Sequence, residues 1–218
     1  MDSEFDYIIV GAGSAGCVMA NRLSADLNVS VLLIESGPSD QSPLIKMPRG
    51  IGKILEPGNS RVWDYQALPA TGKPSELWLK GRTLGGSSSV NGMVYMRGAP
   101  ADYDGWAAAG CEGWGWEHIQ RQYVALENHI LGSTTWRGEN GPMGITVHPK
   151  GNELLKAILS AASDIGTPQV DDINSMDAVQ RGGAWISDPQ HLARSALQCR
   201  RCIPEAGVIA KELARYNR

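Results

Sequence analysis

The first 35 residues set the strongest constraint on the fold. Asp6 to Val10 reads as a buried strand and runs without a linker into Gly11-Ala12-Gly13-Ser14-Ala15-Gly16. Cys17 to Ala25 then has helix-forming composition. Val29 to Ile34 is an unbroken apolar run rich in β-branched residues, the pattern of a parallel strand covered on both faces. Glu35 closes that run, and Ser36-Gly37-Pro38 turns the chain away. Strand, glycine turn, helix and strand make one complete βαβ unit, so the chain is expected to be α/β with a Rossmann-like core.

Three glycines at this spacing form a weak signal when they stand alone. Here they follow a strand, open a helix, and are answered by a carboxylate at the end of the next strand, which is the context that dinucleotide binding requires. Gly11 permits the tight turn, Gly13 lets backbone approach a pyrophosphate, and Gly16 lets helix and strand pack closely. Unpaired amides and the helix dipole at Ser14, Ala15 and Gly16 favour phosphate charge. Glu35 stands where a carboxylate can accept hydrogen bonds from ribose hydroxyls, and it would repel a 2′-phosphate, which argues against NADP. This unit does not decide between FAD and NAD.

The 218 residues suffice for one large domain with its own core. A net charge of −3 gives no basic excess to attract nucleic acid. The longest apolar runs, Tyr7 to Val10 and Val29 to Ile34, are too short to span a bilayer. An acidic start running straight into a strand shows no signal peptide, so a cytoplasmic protein is expected. Glycine is abundant at 26 residues without a repeat period, which points to tight turns and close backbone approaches. Four cysteines are too scattered for a disulfide framework, and Cys199-Arg-Arg-Cys202 has CxxC spacing without the strand and helix that a redox motif needs.

Beyond the βαβ unit, residues 41–80 carry five prolines and read as irregular functional loop. Residues 81–98 form a second glycine- and serine-rich segment. Helical spacing recurs over 102–109, 116–129 and 152–165, with a turn and short strand over 137–147. In the second segment, Gly85-Gly86-Ser87-Ser88-Ser89 supplies exposed amides and hydroxyls for a backbone lying close to a polar ligand.

The segment Gly81 through Asp104 resembles, in register, the first signature of the glucose–methanol–choline (GMC) oxidoreductases. Asp6 to Glu35 looks like that family's amino-terminal FAD unit. Trp63-Asp64-Tyr65, Arg97 to Trp106 and Gly113-Trp114-Gly115-Trp116 are also similar to it, and the likeness extends more loosely to Asp171-Asp172-Ile173-Asn174. It covers residues 1–175, and its flavour is that of bacterial choline and alcohol dehydrogenases. The resemblance implies a FAD-dependent oxidoreductase acting on the CH–OH group of a small alcohol. By it, Gly11, Gly13, Ser14, Ala15 and Glu35 would hold the ADP half of FAD. Arg82, Gly86, Ser87, Asn91, Gly92, Met93 and Val94 would approach the pyrophosphate, ribityl chain and flavin. Some relatives attach FAD through a histidine just before the asparagine of this loop. That position is Val90 here, so FAD is expected to be held non-covalently. Some relatives are peripheral membrane proteins, which leaves that association open.

The family's catalytic histidine lies near the end of a chain more than twice this length. None of His118, His129, His148 and His191 falls in the flavin loops, and no catalytic residue is assigned. The chain is therefore expected to be the N-terminal FAD-binding part of such an enzyme, incomplete relative to the family fold. Residues 176–218 read as a divergent tail, by truncation or frameshift, and an incomplete sheet should leave apolar faces uncovered. A non-catalytic FAD or nucleotide-binding module is the alternative, followed by an NAD-dependent dehydrogenase that uses only the βαβ unit.

Overall fold

The computed structural model describes residues 4–68, 73–147, 153–181 and 208–212. The chain divides into two compact units, one built on residues up to Met93 together with the strand 208–212, the other beginning at Val94. The CxxC pair, His148 and His191 lie outside the described residues.

In the first unit, β1 (Tyr7–Val10) and β2 (Val31–Glu35) pair in parallel, from Tyr7 opposite Val31 to Val10 opposite Ile34. Helix α1 (Ser14–Leu23) joins them, starting three residues before the expected helix because it opens directly on the glycine turn. Apolar residues on one face meet it: Ile9, Ala12, Cys17, Ala20, Val31 and Leu33 form a buried cluster, with Leu23, Val29 and Leu84 against its rim. Full burial of side chains such as Val31 and Leu33 contributes about 1.5–3 kcal/mol each. The Asp6 carboxylate accepts hydrogen bonds from the Ser30 amide at 2.8 Å and hydroxyl at 2.6 Å, which pins the start of β1 to β2.

Coverage of both sheet faces, expected from the apolar run of β2, holds for one face only. Ile8 and Val10, which alternate with buried Ile9, are 61% and 81% exposed, because no described element packs over them. The tail contributes to this sheet: Val208–Glu212 pairs in parallel with β2, giving the order β1-β2-tail strand.

The stretch 41–80 is more regular than its prolines suggest. Two one-turn helices, α2 (Pro43–Lys46) and α3 (Ile51–Ile54), precede an antiparallel hairpin of β3 (Val62–Ala67) and β4 (Glu76–Gly81). The prolines sit where they cost least: Pro43 opens α2, while Pro57 and Pro74 fall outside the strands. A second apolar cluster of Ile54, Val62 and Val90 closes beneath the hairpin, edged by Leu44, Ile45, Leu55 and Leu79.

The second unit holds α4 (Pro100–Ala108), α5 (Trp116–Leu126), a short parallel pair of β5 (Glu127–His129) with β6 (Met143–Ile145), α6 (Glu153–Asp164) and α7 (Met176–Arg181). The last three residues of the expected helix 116–129 are strand, because Glu127 and His129 turn inward to a buried polar cluster. Aromatic rings pack the space between α4 and α5, with Tyr103 5.2 Å from Trp106 and 5.5 Å from Trp116 between ring centroids. In the polar cluster, Glu127 accepts hydrogen bonds from the Tyr95 hydroxyl at 2.5 Å, from Arg97 and from the Gly138 amide at 3.1 Å. Asn174 links the same region, its Oδ1 accepting from the Arg97 amide at 2.8 Å.

Candidate functional site

The C-terminal ends of β1 and β2, the start of α1 and the hairpin enclose a cleft of about 360 Å³. In open α/β sheets, ligands bind at this end of the strands. Gly11 turns the chain with φ +96° while its amide donates to the Ile34 carbonyl at 2.7 Å. A Cβ on Gly16 would lie 2.0 Å from the Gly11 carbonyl oxygen, so only glycine lets α1 begin this close to the turn. At Gly13, by contrast, a Cβ would meet nothing within 4 Å. Its backbone lines the cleft, open to an approaching group. Gly13 caps α1 without a side-chain hydrogen bond and the first turn carries no acidic residue, so the helix leaves its N-terminal field uncompensated.

The second glycine loop docks onto the first, backbone against backbone. The Gly85 amide donates to the Ala12 carbonyl at 2.7 Å, and a Cβ on Gly86 would sit 2.8 Å from the Gly13 Cα. Positive φ angles of +86° and +55° at Gly85 and Gly86 shape this approach, and a 3₁₀ turn over Gly86–Ser89 follows. Thr83 ties the loop to the turn after β2, its hydroxyl donating to the Pro38 carbonyl at 2.7 Å.

The serine hydroxyls also bond to backbone. Ser87 Oγ accepts from the Gly81 amide at 3.0 Å, Ser88 donates to the Gly85 carbonyl at 2.6 Å, and Ser89 donates to the Leu84 carbonyl at 2.7 Å. The short side chains thus bond to backbone within and just before their own loop, and the Gly85 carbonyl also accepts from the Ser88 amide at 3.1 Å.

Glu35 is buried at the base of the cleft, its Oε2 accepting from the Ala12 amide at 2.8 Å and its Oε1 from the Gly37 amide at 2.9 Å. Each carboxylate oxygen retains a lone pair. The geometry thus gives the carboxylate two tasks, holding the glycine turn and offering acceptors to the cleft.

Of the expected site residues, Gly11, Gly13, Ser14, Glu35, Gly86 and Ser87 line this cleft together, and Ala15 is exposed in the first turn of α1. Arg82 stacks beside it, its guanidinium carbon 4.4 Å from the centroid of the Trp63 ring. Asn91, Gly92 and Met93 continue the second loop without lining the cleft. Asn91 Oδ1 accepts from the Met93 amide at 3.0 Å, and buried Met93 takes a left-handed φ of +58°. Val94, half-exposed, belongs to the second unit. Val10, Ile34, Ser36, Trp63 and Gly81 also line the cleft and were not singled out as site residues. For Trp63, the available signals were an aromatic residue in a glycine- and proline-rich stretch and the family likeness of Trp63-Asp64-Tyr65.

The described histidines stand apart from these loops in sequence and in unit. His118 is exposed. His129 is buried, with Nδ1 accepting from the Leu131 amide at 3.2 Å and Nε2 3.8 Å from Asp172 Oδ2. Burial lowers its pKa below the ordinary histidine value, helped by Arg137 and Arg97 and opposed by Asp172 and Glu127. Among the described residues, no helix is long and apolar enough to cross a membrane.

The family model described as GMC oxidoreductase matches residues 5–200. The chain belongs to the GMC oxidoreductase family. It is 43% identical over 181 residues to an oxygen-dependent choline dehydrogenase of Photobacterium profundum, covering 80% of this chain and 31% of that protein. It is 44% identical over 163 residues to an alcohol dehydrogenase [acceptor] of Pseudomonas putida, covering 73% of this chain and 29% of the relative. The crystal structure of pyridoxine 4-oxidase from Mesorbium loti superposes with a TM-score of 0.78 at 31% identity, over 96% of this chain and 42% of that one. The chain thus spans about a third of the length of the curated relatives it matches. These relatives cover the FAD-binding part of a family that uses FAD.

Proposed function

We propose that this chain is the FAD-binding part of an oxidoreductase acting on the CH–OH group of an alcohol. The observation that carries this reading is the pair of interlocked glycine loops at the strand ends, with Gly13 open to the cleft and α1 uncapped above it. These features suit the pyrophosphate of a dinucleotide. In this reading the backbone of Gly13, Ser14 and Ala15 receives the pyrophosphate, while Glu35 accepts hydrogen bonds from the adenosine ribose. Arg82 supplies positive charge, and the loop from Gly86 through Val94 runs along the ribityl chain and flavin. Bound FAD would supply the acceptor for a hydride from the alcohol carbon.

FAD is held without a covalent bond in this proposal. Val90 is buried in a cluster with Ile54 and Val62 and has no nucleophilic atom to offer. Among the described residues no histidine lines the cleft, and this reading assigns no residue of the chain as the base that takes the hydroxyl proton. This stretch binds and orients.

The absorbance spectrum of the purified chain, recorded before and after acid precipitation, tests the proposal. Flavin absorbance released to the supernatant is the expected result. Flavin retained in the pellet would overturn non-covalent binding, and a colourless chain that takes up no added FAD would overturn the flavin reading. Bound nicotinamide in place of flavin would favour the NAD alternative.

A further inference from the structure

Trp63 stands on β3 and lines the cleft, opposite Lys80 in the hairpin register. Arg82 follows β4 by one residue, and its amide donates to the Arg61 carbonyl at 2.7 Å. Gly81 fixes the approach of this segment to the second glycine loop, since a Cβ there would lie 2.2 Å from the Gly86 carbonyl oxygen. The Arg82 guanidinium packs on the Trp63 indole. Among the described residues Arg82 joins no ion pair, and its buried Nε has no hydrogen-bond partner. Among the described residues this cation has an aromatic face against it and no anion.

We propose that Trp63 is a positioning residue for Arg82: the indole holds the guanidinium beside the glycine loops, ready to meet the pyrophosphate of FAD. The inference rests on the flavin reading above and extends it to a residue outside both glycine motifs. Contact with the indole face takes up none of the guanidinium's hydrogen bonds, so its N–H groups remain for phosphate oxygens. A long side chain held this way loses less rotamer freedom when the anion arrives. Trp63 is 38% exposed and stands outside both apolar clusters, so its replacement need not disturb the fold.

A double-mutant cycle on the full chain tests this, with FAD affinity read from flavin fluorescence and folding checked by circular dichroism. Trp63→Leu is expected to weaken FAD binding about three- to tenfold, the size of a partly desolvated cation–π contact, and Trp63→Phe less. In an Arg82→Ala background, Trp63→Leu should change affinity less than twofold. An equal loss in both backgrounds would reduce Trp63 to a wall of the cleft and overturn the proposal, as would no loss in either. Should Trp63→Leu not fold, Trp63→Phe in the same two backgrounds gives the same comparison with smaller steps. An unaltered chain that takes up no FAD would defeat the flavin reading and this inference together. FAD binding without coupling between residues 63 and 82 would defeat the role of Trp63 alone.

Discussion

At Gly16 the chain tolerates no side chain, because the Cβ of any other residue would lie 2.0 Å from backbone oxygen. The Gly16→Ala variant is expected to lose about 1–3 kcal/mol as α1 shifts from the turn, with a lower urea midpoint and weaker FAD uptake. Glu35 reaches further than its place at a strand end suggests. Replacing it with glutamine turns one acceptor into a donor facing the Ala12 or Gly37 amide. A cost of about 1–3 kcal/mol is expected, read as a lower urea midpoint without ligand, because the loss arises within the fold itself. Both residues are visible in the primary structure as members of a motif. Their partners were not: nothing in the spacing of Glu35 indicates that it holds the Ala12 amide.

Between elements, the contact that matters most for the site joins two loops about seventy residues apart. Thr83 and Gly85 anchor the second loop to Pro38 and Ala12. Thr83→Val keeps the shape and removes the bond from a fully buried hydroxyl, so a loss of about 1 kcal/mol is expected in urea denaturation. The hairpin β3–β4 shows why one region escaped a sequence reading. Its apolar and polar residues alternate only over short runs between prolines, and a two-stranded ribbon takes its order from cross-strand partners such as Tyr65 opposite Trp78. Expected helix 116–129 failed at its end for a related reason. Glu127 continues the helical spacing but leaves the helix to meet Tyr95, Arg97 and the Gly138 amide.

For the whole molecule, stability should depend on pH through His129. Burial lowers its proton affinity in the folded state, so below about pH 6.5 the unfolded chain binds more protons. The stabilisation is complete above that pH and falls as the pH drops through it. Thermal melts between pH 7.5 and 5 should show the midpoint falling, and His129→Asn should flatten that part of the curve. Ligand linkage acts on the other unit. FAD at a hundred times its dissociation constant should add about 2.7 kcal/mol to the unfolding free energy of the unit that binds it. A melting temperature unmoved by saturating FAD would contradict the proposed site.

What the amino-acid sequence determined by itself was the βαβ unit, its glycine turn and the family likeness of the second loop. Each is a local pattern in which periodicity, turn chemistry and residue order act over a few tens of residues. Only the tertiary structure decided that the two glycine loops interlock, that the serine hydroxyls serve their own turn, and that Trp63 and Arg82 stack beside the cleft. Those arrangements depend on backbone groups and side chains far apart in the chain finding one another. No spacing rule encodes them, because their energies arise only once the strands, helix and hairpin have packed.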